Sequence, residues 1–369
     1  MKKKIIISVL AVVLVLAVGL GVYFALPEYD LSEIPEDIQV IEMEGEELRI
    51  LNLTDIQMTI EEWDTKGIIY EVTTGTITKL IEKEQPDLIT VTGDFSYTNT
   101  KNYGAYEQFA EFMDSFGIPW APIWGNHDVE GGDEEIEKIE DIFAKSEYTL
   151  FKEGPEELGS GNYTVFISNG KRIVEGLIFM DTHAGSFRIN ILGNKVTTSA
   201  GWLNEKQLDW YKDQIEISKA FGCKDSSIFV HVPIYAYRDA RNAAIVPQEE
   251  GYVANRDESD NPEYWNKGYK DSFGAIGSGG PKEDDGVLQA LKDSKSTKHV
   301  FAGHCHKSNC SIVYEGIRLT NCVKTGPAHS WRSDMNGGTV IIVDNKGISD
   351  VYHSYIDDYI DTEVRKNFG

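Results

Sequence analysis

Leu88 to Thr92 is a short run without charge, bounded by Pro86-Asp87 on one side and Gly93-Asp94 on the other. A strand that is apolar along most of its length has to be covered on both faces, as in an α/β sheet. The segments around it alternate between such runs and helical patterns. Leu48 to Leu53 reads as a strand. Thr65 to Glu84 reads as a helix, with Ile68, Ile69, Val72, Ile77, Leu80 and Ile81 on one face. Tyr103 to Phe116 is helical, and Ile118 to Trp124 is the next strand. Glu134 to Lys145 is a helix whose acidic start suits the helix dipole. This alternation argues for the α/β class.

The second half is richer in strands. Tyr163 to Ser168 and Ile173 to Met180 form a hairpin pattern around Asn169-Gly170. Asn204 to Ala220 is a helix with Asn204 as its N-cap. Ser227 to Val232 and His299 to Ala302 are strands. Ser311 to Tyr314 and Ile317 to Thr320 make a hairpin, followed by Thr339 to Val343 and Ile348 to Tyr355. Tyr235 to Asp285 has no clear periodicity and reads as a long functional or disordered loop.

Lys2, Lys3 and Lys4 precede an uncharged run from Ile5 to Leu26. About 20 apolar residues cross a bilayer, whereas the core of a signal peptide takes roughly 7–15. The expectation is an uncleaved single-pass anchor, with a cleaved signal segment as the rival. The lysines place the tail inside and the bulk of the chain outside. The division expected is 1–27 anchor or signal segment, 28–45 linker, 46–356 a single domain and 357–369 tail. A formal net charge of -25 repels nucleic acid, so no nucleic-acid partner is expected. Cys223, Cys305, Cys310 and Cys322 contain no Cys-x-x-Cys pair, so a thiolate zinc site is not indicated. A Cys310–Cys322 disulfide and free buried thiols are both open.

Five chemistry-bearing blocks stand at the C-terminal ends of the predicted strands. They are Asp55-Ile56-Gln57, Gly93-Asp94, Gly125-Asn126-His127-Asp128, His231 and Gly303-His304-Cys305-His306. Ligands of open α/β sheets collect at such ends. Carboxylate, amide and imidazole donors without thiolate suit manganese, iron or zinc better than calcium. Delivered from several strands, they are what a two-metal hydrolytic site requires.

In this order, from Leu48 to His306, the blocks resemble those of the calcineurin-like metallophosphoesterases. The resemblance implies two mixed β-sheets in a sandwich flanked by helices, with two divalent or trivalent metal ions at one edge. It implies that Asp55, Gln57, Asp94 and His306 hold the first metal. Asp94, Asn126, His231 and His304 would hold the second. It further implies in-line attack on phosphorus by a hydroxide bridging the two metals, with His127 protonating the leaving oxygen and Asp128 orienting His127. The expected substrate is a small phosphorylated molecule, either a monoester or a diester. The alternatives are a nucleotide pyrophosphate and a non-catalytic surface binding module that keeps the fold.

One block departs from the pattern. The usual first block is Asp-x-His, and here it is Asp-x-Gln, as in members resembling the manganese-dependent ADP-ribose/CDP-alcohol diphosphatases. Gly93-Asp94-Phe95-Ser96-Tyr97 also resembles the Gly-Asp-x-x-Tyr block of purple acid phosphatases, where the tyrosine ligates ferric iron. Tyr97, Arg238 and Arg241 are candidate substrate contacts, since Arg binds phosphate bidentately. His183, His329, Trp331 and Arg332 are further residues near predicted strand ends and loops. Gly201-Trp202-Leu203 with Gln207, Trp210 and Tyr211 resembles a segment of purple-acid-phosphatase-like members, and its aromatics are expected in the core.

Overall fold

Two sheets share the load of this fold, and each contributes parallel strands whose ends meet at one edge. The computed structural model describes residues 29–58, 68–96, 103–129, 133–183, 187–189, 195–197, 203–248, 251–254, 281, 284–328 and 335–356. In chain order the first half holds β1 (Gln39–Glu42), β2 (Glu47–Leu53), α1 (Ile68–Glu84), β3 (Leu88–Thr92), α2 (Tyr103–Asp114), β4 (Trp120–Ile123) and α3 (Asp133–Phe143). Next come β5 (Tyr163–Ser168), β6 (Ile173–Phe179), β7 (Phe187–Ile189), β8 (Lys195–Thr197), α4 (Glu205–Ala220) and β9 (Asp225–Val230). The remainder holds α5 (Ala236–Ala244), β10 (Ile245–Gln248), β11 (Gly251–Ala254), α6 (Val287–Ser294), β12 (Thr297–Ala302), β13 (Ser311–Tyr314), β14 (Ile317–Asn321), β15 (Gly337–Asp344) and β16 (Gly347–Tyr355).

One sheet runs in the order β16-β15-β2-β3-β4 and the other β1-β5-β6-β9-β12-β14-β13. Both are mixed. β2, β3 and β4 are parallel, as are β6, β9, β12 and β14, while β15, β16, β5 and β13 pair antiparallel with a neighbour. Every residue of β3 is buried, as its uncharged and largely apolar run requires. The main core joins Ile50, Val91 and Val340 of the first sheet to Tyr163, Leu177, Phe229 and Phe301 of the second. Across the second sheet, Tyr163, Phe179, Phe229 and Phe301 stack with centroids 4.7, 4.9 and 4.9 Å apart. Such cross-strand aromatic pairs add about 0.5–1.5 kcal/mol each to their burial. On the other face of that sheet, Ile178, Ile228 and Val300 pack with Tyr211 of α4, Tyr237 of α5 and Leu291 of α6.

Local chemistry sets the start of α4 where the residues place it. Asn204 and Gln207 cap α4 reciprocally, with Gln207 N–H donating to Asn204 Oδ1 at 3.1 Å and Asn204 N–H to Gln207 Oε1 at 3.0 Å. Gln207 and Tyr211 are buried, Trp210 packs against the same cluster, and Trp202 lies outside the described residues.

Two expectations are corrected. Gln39–Glu42, read as linker, forms β1 and pairs in parallel with β5 at the sheet edge. The stretch after Tyr235, read as a loop, begins with α5 and the β10–β11 hairpin. The buried face of α5 is Ala236, Tyr237 and Ala240, and alanines leave little apolar signal in a sequence. All four cysteines are buried free thiols, so Cys310 and Cys322 are not bridged. No described helix is long and apolar enough to cross a membrane. The segments 1–27 and 357–369, where the anchor and the tail were expected, lie outside the described residues, as do Tyr97, His329, Trp331 and Arg332.

Candidate metal centre

The C-terminal ends of β2, β3 and β4 deliver Asp55, Asp94 and Asn126, and those of β9 and β12 deliver His231 and His304. One donor atom each of Asp55, Asp94 and His231 lie within 4.8 Å of one another. The turns that present these groups are strained. Asp55, Gln57, Asp94 and His304 have φ of 51, 51, 56 and 67°. That left-handed region costs an L-residue about 1–2 kcal/mol. Strain of this kind persists only where the surroundings over-determine it.

Those surroundings are visible. Asp55 N–H donates to the Gly93 carbonyl at 3.0 Å and Gln57 N–H to the Asp94 carbonyl at 2.8 Å, tying the first two loops together. Asp128 is fully buried and clamps the next two. Its carboxylate accepts from the N–H groups of Asp94 (2.7 Å), Phe95 (3.0 Å) and Gly125 (2.7 Å) and from the Tyr106 hydroxyl (2.7 Å). Burial and the nearby Asp94 push Asp128 up to about 7, against the pull of its Tyr106 and Gly125 bonds. Asp128 thus has a loop-holding role beyond the His127 contact expected of it. Gly93 and Gly125 allow the close approach: a Cβ on Gly93, at φ +85°, would lie 2.5 Å from Gly125 N and 2.7 Å from His231 Nδ1.

His231 gives the sharpest reading of the site. Its Nδ1 stands 2.7 Å from the Thr92 carbonyl oxygen, which can only accept, so Nδ1 carries the proton. In the neutral ring, Nε2 then turns a lone pair toward two further acceptors, Asn126 Oδ1 at 3.0 Å and Asp94 Oδ1 at 3.4 Å. Asn126 Oδ1 also meets His304 Nδ1 at 2.8 Å. Lone pairs converging in this way repel unless a cation lies between them. Donors about 2.1 Å from one ion stand about 3.0 Å apart at a right angle and about 3.4 Å apart at a tetrahedral angle. The spacing of Asp94, Asn126, His231 and His304 therefore fits a metal ion, and the His231–Thr92 bond is the outer contact that orients a metal-binding imidazole. Burial and the neighbouring His231 hold His304 down near 4, so it is a neutral donor at pH 7.

On the other side of Asp94, His306 Nε2 lies 3.0 Å from Asp55 Oδ1. Asp55 Oδ1 is buried without a hydrogen-bond partner, while Oδ2 accepts from Thr54 Oγ1 and His304 N, both at 3.0 Å. Burial works against the Asp55 charge, but His306, His231 and Lys324 hold its carboxyl well below the usual carboxylate range. Burial likewise opposes ionised Asp94, and His231 and His127 outweigh it.

Gln57 does not present its oxygen here. Its Oε1 accepts from Lys324 Nζ at 2.8 Å, and its Nε2 faces Asp94 Oδ2 and His306 Nε2, each at 3.4 Å. The geometry around Gln57 thus differs from that of an oxygen ligand. Lys324 is buried beside the site, and burial lowers it to about 8 against the pull of Asp55 and Asp94. Sequence reading passed over it. Its one signal was a single charge in the otherwise uncharged stretch Leu319 to Ala328.

His127 is tied at its backbone, donating N–H to Asp94 Oδ1 at 2.8 Å. Arg238 and Arg241 lie on α5, just beyond His231 in sequence. The Arg238 guanidinium sits 5.5 Å from the Tyr235 ring centroid, and Arg241 Nε is buried without a hydrogen-bond partner. His183 pairs with Asp181 at 3.0 Å, a local contact. A cavity of about 640 Å³ lined by Gln39, Ser146, Lys152, Trp210 and Gln214 includes none of the metal-centre residues.

Comparison with known proteins identifies the family. The model of the family described as calcineurin-like phosphoesterase matches residues 48–308. Phosphatase DCR2 of Saccharomyces cerevisiae is 31% identical over 128 residues, which is 32% of this chain and 21% of that protein. Probable inactive purple acid phosphatase 28 of Arabidopsis thaliana is 25% identical over 265 residues, 66% of this chain and 59% of that protein. The chain thus spans less than two thirds of either relative. Among solved structures, GAP50 of the Plasmodium inner membrane complex has a TM-score of 0.47 at 15% identity, covering 88% of this chain and 94% of that one. A dimetal phosphatase from Danio rerio has a TM-score of 0.44 at 13% identity, covering 83% and 98%. With its five blocks inside the matched span, this chain belongs to the calcineurin-like phosphoesterase family.

Proposed function

We propose that the chain is a metal-dependent phosphoesterase acting on small phosphorylated substrates outside the cytoplasm, held at the membrane by residues 5–26. The observation that carries the hydrolase reading is the His231 ring, locked by Thr92 so that Nε2 faces Asn126 Oδ1 and Asp94 Oδ1. The proposed cofactors are two ions drawn from manganese, iron or zinc. When bound, such ions lower the pKa of water and neutralise phosphoryl oxygens.

The chain's own residues do the rest. Asp128 keeps the Asp94 and Gly125 loops together, so that Asp94 can serve both halves of the centre. His127, anchored to Asp94 through its backbone, protonates the leaving oxygen. Tyr97, Arg238 and Arg241 are the proposed substrate contacts, the arginines toward phosphate oxygens. Monoesters and diesters are the first substrates to try, and nucleotide pyrophosphates follow from Gln57. The acidic surface argues against a nucleic-acid partner.

The test is metal analysis of the purified full chain together with turnover of aryl phosphate, bis-aryl phosphate and nucleotide diphosphate substrates. Full metal occupancy without turnover of any of them sinks the enzyme reading. That outcome would favour a second one, a non-catalytic binding module, for which the Gln57 oxygen turned to Lys324 is the supporting observation. Protease treatment of intact cells tests the location: a domain that survives until the cells are lysed is not outside.

A further inference from the structure

Gln57 and Lys324 form a buried pair whose orientation has only one solution. An ammonium group donates and cannot accept. Lys324 Nζ stands 2.8 Å from Gln57 Oε1 and 2.8 Å from the Asp55 carbonyl oxygen, so both contacts are donations from Lys324. The Gln57 NH2 group is thereby turned toward Asp94 Oδ2 and His306 Nε2. An amide NH2 has no lone pair to offer a cation. It also occupies the Asp94 oxygen that faces this side.

The pair cannot swing away cheaply. Gln57 is fully buried and Lys324 is 3% exposed. The Lys324 carbonyl accepts from Gly337 N–H at 3.1 Å, and the N–H groups of Thr325 and Gly326 donate to the carbonyls of Thr54 and Asp55. The stretch that carries Lys324 is therefore stitched to the one that carries Asp55 and Gln57. The two halves of the centre end up unequal in donors. The Asn126 side has Asp94, Asn126, His231 and His304. The opposite side has Asp55, Asp94 and His306.

We propose that the Lys324–Gln57 contact makes the centre asymmetric, with one ion held tightly by Asp94, Asn126, His231 and His304 and a second bound weakly and exchangeably beside Asp55 and His306. This rests on the metal-centre reading above and adds to it which ion is resident and which residue decides that.

The experiment titrates Mn2+ into the chelator-stripped full chain, counting bound ions by equilibrium dialysis and following them by electron paramagnetic resonance. The wild type binds one ion tightly and a second about 10- to 100-fold more weakly, the scale on which outer contacts tune metal affinity. Lys324→Met frees the amide to turn over, and the second ion tightens by about tenfold or more. Lys324→Arg keeps a donor in place and keeps the inequality. Gln57→Glu has an oxygen on both sides, so it restores the missing donor while leaving Lys324 paired. It carries the test if Lys324→Met loses its circular dichroism. Two ions of equal affinity in the wild type overturn the proposal, as does a second-ion affinity unmoved in Lys324→Met and Gln57→Glu. No Mn2+ binding at all removes the metal-centre reading and this one with it. Two unequal ions without turnover support the asymmetry and count only against the hydrolase reading.

Discussion

Replacing Asp128 by Asn tests whether one carboxylate holds the metal loops together. Its oxygens accept from Asp94 N–H and Gly125 N–H on Oδ2, and from Phe95 N–H, the Tyr106 hydroxyl and, at 3.5 Å, Ser96 N–H on Oδ1. Asparagine keeps one oxygen, so two of these donors face an NH2 group that cannot accept. A hydrogen bond to a charged group contributes about 1.5–3 kcal/mol, which puts the loss at about 3–6 kcal/mol. Domains of this kind are stable by about 5–15 kcal/mol, so the variant should still fold. The assay is urea unfolding followed by circular dichroism at pH 8, above the value of about 7 that burial gives the carboxyl. Tyr106→Phe removes a single donor and should cost about half as much or less. Mn2+ affinity should fall by about tenfold or more in Asp128→Asn, because Asp94 loses the bond that holds its loop. Stability within about 1 kcal/mol of wild type, with unchanged Mn2+ binding, would refute the reasoning.

His127→Ala should cut turnover by about 10²–10⁴-fold while metal content stays the same; equal activity would remove His127 from the chemistry. Gly93→Ala should weaken Mn2+ binding sharply, since its Cβ would press on His231 Nδ1 at 2.7 Å, and unaltered dialysis curves would contradict that. Burial raises the Glu175 carboxyl from 4.5 to about 8. Between those values the folded chain holds a proton that the unfolded chain has lost, so stability present below pH 4.5 is lost as pH rises through about 8. The whole window corresponds to on the order of 5 kcal/mol. Glu175→Gln should flatten this part of the profile, and urea midpoints that track wild type from pH 5 to beyond pH 8 would rule it out.

Much of the architecture could be read from local pattern. β3 is unmistakable because an uncharged run between Pro86-Asp87 and Gly93-Asp94 leaves few alternatives, and α4 because Asn204 and Gln207 make a local capping box. β1 was missed because Val40 and Ile41 are its only large apolar residues, and its pairing with β5 joins residues far apart in the chain. α5 was missed because alanines supply much of its buried face.

The five strand-end blocks, their order and their donor types were determined by the sequence alone. Each depends on a short run of residues whose chemistry is carried by identity: a carboxylate, an amide or an imidazole just past an apolar strand. Which atoms those residues present was decided only by tertiary structure. Gln57 offers nitrogen rather than oxygen because Lys324, 267 positions later, donates to its carbonyl. Asp128 uses its charge to hold two loops, those after β3 and β4, which lie side by side only when the two strands pair in the sheet. A hydrogen bond is set by distance and direction in space, and neither is written in the spacing of residues along the chain.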